Sequence, residues 1–317
     1  MIEVGYALSS EEHPPRDLVR NAQRAEEAGF AFAMISDHFH PWIDRQGQSP
    51  FVWSVIGAIA QTTEHLRLGT GVTCPIIRTH PAIVAHAAAT VAAMMPGRFF
   101  LGLGTGENLN EHVLGERWPP GDMRLEMLEE AIEVITELWK GKSTTHRGRH
   151  YTVEGARIYT LPEEPPLILV AAKGERAIRL AARNDGLIGT SPDPELMRTF
   201  DEAGGIDKPR YAMIHVCWAQ DDATARRIAH EWWPNSAIPG ELSVELPLPR
   251  HFEQAAELVG EDDVARSFTC SSDPGKHLEA IGAYARAGYD HIYIHQVGPD
   301  QEGFFHFYER EILPKLR

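Results

Sequence analysis

The sequence predicts a (β/α)8 barrel, and three observations predict it. Eight short β-rich runs alternate with amphipathic helical runs over almost the whole chain. Most of these runs are continuously apolar, as expected for parallel strands covered on both faces. The 317 residues, 43% of them apolar, contain no Pro/Gly/Ser linker and no internal repeat, so one domain over 1–317 is expected. Strand–helix alternation with eight strands fits a closed barrel better than a doubly wound open sheet, which is the structural alternative.

Strands are expected at residues 3–8, 31–36, 66–73, 99–104, 167–172, 186–190, 211–219 and 291–297. The first helix, over 16–29, places Leu18, Val19, Ala22 and Ala25 on one stripe and ends at Gly29, a C-cap residue. A helix over 124–141 aligns Leu125, Leu128, Ile132, Ile135 and Trp139, with acidic residues opposite. Helices over 273–288 and 304–317 complete the series. Two segments exceed a minimal barrel. Residues 142–166 read as a hairpin-like excursion around His150-Tyr151-Thr152-Val153, and 234–262, rich in Pro and acidic residues, as an irregular or helical insertion. Both are expected at the C-terminal face, where insertions shape a binding site.

Composition narrows the function. Thirty Lys+Arg against 45 Asp+Glu leave a net charge of −15, with no basic run to offset it, which argues against nucleic acid or anionic lipid as a partner. No apolar stretch approaches the roughly 18 residues of a membrane span. Even the Ala-rich segment near 82–95 is broken by His86 and Thr90. Met1-Ile2-Glu3-Val4-Gly5-Tyr6 has neither a basic start nor an apolar signal core, and Cys74, Cys217 and Cys270 form no CxxC, so a cytoplasmic protein is expected. The 16 histidines are a surplus. His65, His112, His230 and His251 fall in helical or loop stretches and are expected to be solvated.

Reactive groups of such barrels follow the C-terminal ends of the strands. The second strand ends in Ser36-Asp37-His38-Phe39-His40-Pro41-Trp42, where a carboxylate, two imidazoles and an indole suit acid–base work. The fourth continues into Gly102-Leu103-Gly104-Thr105-Gly106-Glu107-Asn108-Leu109-Asn110. Its glycines let backbone approach an anion or a flat ring, and Glu107 stands at the height of the cavity. It is not a dinucleotide fingerprint, because the third Gly is replaced. The fifth leads through Lys173-Gly174-Glu175-Arg176-Ala177 into a helix whose N-terminus suits a phosphate.

Taken together, Tyr6 with Ser9-Ser10-Glu11, the Ser36–Trp42 run, Gly69-Thr70-Gly71-Val72, the Gly102–Glu111 run and Asp185-Gly186 resemble the luciferase-like superfamily. Within it they look most like the coenzyme F420 (deazaflavin)-dependent glucose-6-phosphate dehydrogenase and alcohol dehydrogenase branch. Ser272-Asp273-Pro274 and Leu313-Pro314 extend the likeness to the last helix. The resemblance implies a homodimeric barrel holding F420 at the strands' C-terminal ends. By position, His38 and Glu107 are its acid–base pair, and Trp42 stabilises the reacting centre. It assigns Asp37, Gly71, Val72, Cys74, Thr105, Gly106 and Asn110 to the cofactor, and Lys173, Gly174, Arg176 and Ala177 to the cofactor's phosphate and tail. Glu11, Thr190 and Gln254 fall in the substrate pocket, and a non-prolyl cis peptide is implied at Gly71-Val72.

The sugar-phosphate pattern is broken at two places. A Lys expected soon after Thr190-Ser191 is replaced by Pro192-Asp193-Pro194, and Gln254 stands where another is expected, leaving Arg266. A dianion needs several cations, so a neutral alcohol or unphosphorylated sugar, or the corresponding carbonyl, is the expected small-molecule substrate. Two other enzyme readings compete: an FMN-dependent monooxygenase of the same superfamily, and a metal-dependent barrel hydrolase built on His38-x-His40 with Lys173 and His295. A binding protein that has lost catalysis is the non-enzyme reading.

Overall fold

A computed structural model describes residues 2–316. Its strands are β1 (Glu3–Leu8), β2 (Phe32–Ile35), β3 (Arg67–Thr70), β4 (Phe99–Leu103), β5 (Thr144–Arg147), β6 (Thr152–Ala156), β7 (Ile168–Ala171), β8 (Gly186–Gly189), β9 (Arg210–Cys217), β10 (Thr269–Cys270) and β11 (His291–Gln296). Parallel neighbours run β9-β11-β1-β2-β3-β4-β7-β8, and β8 pairs back onto β9 to close the ring. Each expected strand overlaps one barrel strand, and only β9, from Arg210, begins outside its expected range. β10 was not expected; it lies beside the end of β9, with Cys270 opposite Cys217.

Alternation along the strands explains why both faces read as apolar. On β2, Phe32 and Met34 point into the barrel while Ala33 and Ile35 join the layer under the helices. Phe100, Leu169, Ile188, Tyr211 and Tyr293 are the inward partners on other strands. Phe32 meets Tyr211 edge-on at 5.1 Å, and Phe100 meets Tyr211 at the same centroid distance. Glycine makes room for these rings: a Cβ on Gly69 would lie 2.0 Å from Phe100 Cε2. The aromatic plug fills the lower barrel and leaves space only at the strands' C-terminal ends.

β3 stops at Thr70, short of the expected 73. The chain leaves it through a cis Gly71-Val72 peptide, and Thr73 rejoins as a parallel bridge to Leu103. The first helix, Pro15–Ala28, buries Leu18, Ala22 and Ala25 and ends at Gly29 with φ 91°, while Val19 is only half-buried. Helix Gly121–Trp139 buries Leu125, Leu128, Ile132 and Ile135. Helix Pro274–Ala287 ends at Gly288 with φ 111°. Among the described residues no helix is long and apolar enough to cross a membrane.

The two insertions differ. The 142–166 segment forms the β5–β6 hairpin, whose Tyr151 Oη donates to Ile76 O beyond the C-terminal end of β3. The hairpin follows the bottom end of helix Gly121–Trp139 and lies along that helix, where the Glu130 carboxylate accepts backbone N–H groups of Arg149, His150 and Tyr151. It contributes nothing to the cavity lining. Residues 234–262 fold into short helices, including Leu242–Glu245 and Pro249–Ala256; Asn235, Ser236, Ile238 and Ser243 line the cavity, while Pro249–Ala256 packs behind them.

Candidate active site

Above the aromatic plug, the strand ends surround a cavity of about 740 Å³. Gly71, Val72, Gly106, Ala171, Ala172 and Gly174 make one side of it small and smooth. Gly106 sits at φ +67°, and a Cβ there would meet Cys74 Sγ at 2.6 Å. Only glycine lets this turn pack on Cys74 and keep the wall flat.

The reactive side chains converge from three strand ends. His38, after β2, keeps 10% of its side chain exposed. Its Nδ1 lies 3.3 Å from His40 O and 3.4 Å from Glu11 Oε1. Both neighbours are acceptors, so the neutral ring carries its proton on Nδ1 and leaves the Nε2 lone pair free. Nε2 is 4.0 Å from Glu107 Oε2, and the Trp42 ring packs 5.1 Å from the imidazole. Glu11 comes from the β1 loop. Its Oε2 accepts Ser36 Oγ–H at 2.6 Å and Ser9 Oγ–H at 3.1 Å. Asn110 ties the loops together: Oδ1 accepts the Phe39 and His40 N–H groups, and Nδ2 donates to Glu107 Oε2 at 3.4 Å.

Asp37 does not orient His38. Its carboxylate is occupied by Thr73 Oγ1 at 2.8 Å and Arg78 Nη2 at 2.9 Å. Arg78 also meets Glu111, whose Oε2 accepts its backbone N–H at 2.9 Å. Burial alone would lower the guanidinium's pKa, but Asp37 and Glu111 raise it. Burial pushes the Glu111 carboxyl above its usual range in spite of Arg78. Arg78 thus anchors the floor below His38 and Glu107, a role the sequence reading missed. Its one signal is a lone Arg in the otherwise apolar stretch after β3.

Other expected site residues separate into two groups. Gly71, Val72, Cys74, Thr105, Gly106, Lys173, Gly174, Ala177 and Thr190 line the cavity together with Asp37, Glu11 and Asn110. Three residues do not. Arg176 faces outward and pairs with Asp122 at 2.6 Å. Helix Pro249–Ala256 turns Phe252 and Ala256 inward, so Gln254 is exposed on the other side. Arg266 is exposed and paired with Asp263. The histidines also need correction: His112, His230 and His251 are half-buried rather than solvated, His230 Nε2 lying 2.7 Å from Val259 O. His40 turns away from His38, its Nδ1 donating to Leu109 O at 2.9 Å. Among the described residues no three His, Cys, Asp or Glu side chains are arranged to hold a metal ion.

Fold and site together define a barrel with a smooth-walled cavity at its strand ends and His38, Glu11 and Glu107 grouped beside it. The chain belongs to the luciferase-like monooxygenase family, whose sequence pattern matches residues 1–291. It is similar to the F420-dependent glucose-6-phosphate dehydrogenase of Microbacterium testaceum, at 37% identity over all of this chain and 98% of that protein. The enzyme of the same name from Beutenbergia cavernae matches equally, 37% identical with 100% and 98% covered. Among solved structures, an F420-dependent secondary alcohol dehydrogenase in complex with an F420–acetone adduct superposes with a TM-score of 0.92, at 29% identity, covering 100% of this chain and 99% of that one.

Proposed function

We propose that this chain is an F420-dependent oxidoreductase acting between the CH–OH carbon of a small neutral alcohol and its carbonyl. The observation that carries the reading is His38: a free Nε2 at the cavity wall, carboxylates on both sides and an indole against its face. The relatives named for F420 dependence support the cofactor, and the cavity fits it. Gly71, Val72, Ala171 and Ala172 suit the face of a tricyclic ring. Lys173 and the N-terminus of helix Glu175–Arg183 suit its phosphate. When bound, the deazaflavin supplies a carbon that accepts or returns hydride.

The chain's own residues manage the protons. His38 Nε2 takes the hydroxyl proton as the C–H bond breaks, and Glu11 steadies the imidazolium that forms. Glu107, fixed by Asn110, lies within reach of the same pocket and holds the second exchangeable proton. Trp42, packed on Phe252 at 5.2 Å, closes the substrate side against water.

A phosphorylated sugar fits this wall poorly. Lys173 is the one Lys or Arg side chain on the cavity lining among the described residues. Asp193 caps helix Pro194–Phe200, accepting Glu195 N–H, and supplies no cation. The test is a panel with F420 loaded onto the purified protein: glucose-6-phosphate, glucose, 2-propanol and 2-butanol, followed by loss of the oxidised cofactor's absorbance. A neutral alcohol is expected to give the highest kcat/KM. Preference for glucose-6-phosphate would refute the substrate class, and tight FMN binding without any response to F420 would refute the cofactor. The homodimer belongs to the same proposal, and light scattering that finds only a monomer-sized particle would overturn it.

A further inference from the structure

β9 and β11 pair in parallel with His215 opposite His295, which puts two imidazoles side by side at the cavity. His215 Nδ1 is 2.8 Å from His295 Nδ1, and His295 Nε2 is 2.7 Å from Glu12 Oε2. Glu12 is wholly buried, and its Oε1 accepts the Gly298 N–H at 3.0 Å. Burial works against its charge, but His295 and the Gly298 N–H outweigh burial and hold the carboxyl below its usual range. With both imidazoles neutral, this chain has one consistent proton arrangement. The carboxylate keeps the His295 proton on Nε2, His295 Nδ1 is an acceptor, and His215 donates to it from Nδ1. His215 Nε2 then carries a bare lone pair. It has no hydrogen-bond partner among the described residues, while the ring is clamped against Phe268, 4.7 Å away at 12°.

The neighbouring wall has the same unfinished character. Trp233, 5.7 Å from His215 by ring centroid, has its indole Nε1 buried without a partner. Asn235 has Oδ1 in the same condition. Both residues line the cavity and are 7% exposed. Buried donors and acceptors left unpaired are costly, so a small shift that turns these two atoms to a polar ligand in the cavity would be favoured.

We propose that His215, Trp233 and Asn235 form a subsite for a second, non-reacting hydroxyl of the substrate, with His215 Nε2 as its acceptor. The subsite rests on the hydride-transfer reading above and sharpens its substrate to a small polyol or unphosphorylated sugar. It stands on β9 and the insertion that follows, three strands around the ring from β4, which carries Glu107, and three from β2, which carries His38. One hydroxyl at His38 and another at His215 would fix both ends of such a molecule. A lone pair backed by a buried carboxylate repels phosphate oxygens, so the same wall selects against a phosphorylated end.

The experiment uses F420-loaded protein at pH 8, where free imidazoles are neutral. It compares kcat/KM for 2,3-butanediol, glycerol and glucose with that for 2-butanol. His215→Asn keeps a donor near the Nδ1 position but removes the Nε2 acceptor, whereas His215→Gln carries an amide to the Nε2 position. The polyol-to-butanol ratio is expected to fall about tenfold or more in His215→Asn, mainly through KM, and to recover partly in His215→Gln. A ratio within twofold of wild type, an equal loss on 2-butanol, or a loss confined to F420 affinity would overturn the subsite. Trp233→Phe, read by the same ratio, replaces His215→Asn if circular dichroism shows that variant misfolded. Glucose binding followed by tryptophan emission repeats the comparison without turnover, and equal affinity in wild type and variant would also overturn it. Wild-type protein that neither binds F420 nor turns over 2-butanol would refute the hydride-transfer reading instead, a result distinct from every outcome above.

Discussion

Glu11→Gln isolates one electrostatic contribution while leaving the shape of the site intact. The carboxylate oxygen is 3.4 Å from His38 Nδ1, and at an effective dielectric constant of about 20 a full charge pair at that distance is worth about 5 kcal/mol. In the transition state His38 has taken on roughly half a proton, so about 2.5 kcal/mol of stabilisation is at stake, or about 50- to 100-fold in rate. The amide retains an oxygen for Ser36 Oγ and Ser9 Oγ, so the β1 loop keeps its hydrogen bonds. Stopped-flow mixing of F420-loaded variant with 2-propanol measures the step, and F420 affinity by fluorescence controls for cofactor binding. The loss should appear in kcat with KM little changed. A loss below about threefold would refute Glu11 as the support of the imidazolium, and so would a loss matched by weaker cofactor binding.

Three further outcomes are expected. Arg78→Met leaves Asp37 and Glu111 buried without their cation and should cost about 3–5 kcal/mol by urea unfolding, whereas a cost under about 1 kcal/mol would show the anchor to be dispensable. Gly106→Ala places a side chain at φ +67° against Cys74 and should cost at least about 2 kcal/mol, together with F420 affinity, and an unshifted melting temperature would contradict the packing. Burial holds His13, His215 and His277 below the ordinary imidazole pKa of 6.5, so each binds its proton more readily in the unfolded chain. The stability they contribute is complete above that value and is lost as pH falls towards their folded pKa values, by up to about 1.4 kcal/mol each between pH 7.5 and 5.5. A urea midpoint that is flat across that window would refute this.

The barrel was legible because its inner and outer faces are both apolar, so each strand stands out as a run whichever way its side chains point. β10 escaped because its two residues are held only by their pairing with β9. Site residues that closely follow a strand end, such as His38 after β2 and Glu107 and Asn110 after β4, could be placed from local pattern alone. Arg176 and Gln254 were misplaced by helix phase. Each follows a cavity-side loop closely, yet the helix turns it outward while Ala177 lines the cavity and Phe252 is buried inside. Arg78 and the Glu12–His295–His215 chain were illegible for another reason. Their partners lie 41 and 283 residues away, and only closure of the ring brings β1 beside β11.

Phase also decides where the chain's positive charge goes, and through that what it can bind. Arg176, Arg179 and Arg183 share the outer side of helix Glu175–Arg183, where they pair with Asp122, Glu175 and Glu129 respectively. The inner side of that helix offers Ala177 instead. Of the buried cations near the site, Arg78 is fully engaged by Asp37 and Glu111 below the floor. The cavity therefore combines Glu11, Glu107 and the Glu12-backed His215 with Lys173 as its one Lys or Arg among the described residues. A cofactor phosphate can use Lys173 and a helix N-terminus together, but a second phosphate on the substrate would meet lone pairs and carboxylates. In an acidic protein of net charge −15, that arrangement is what supports the proposed neutral substrate.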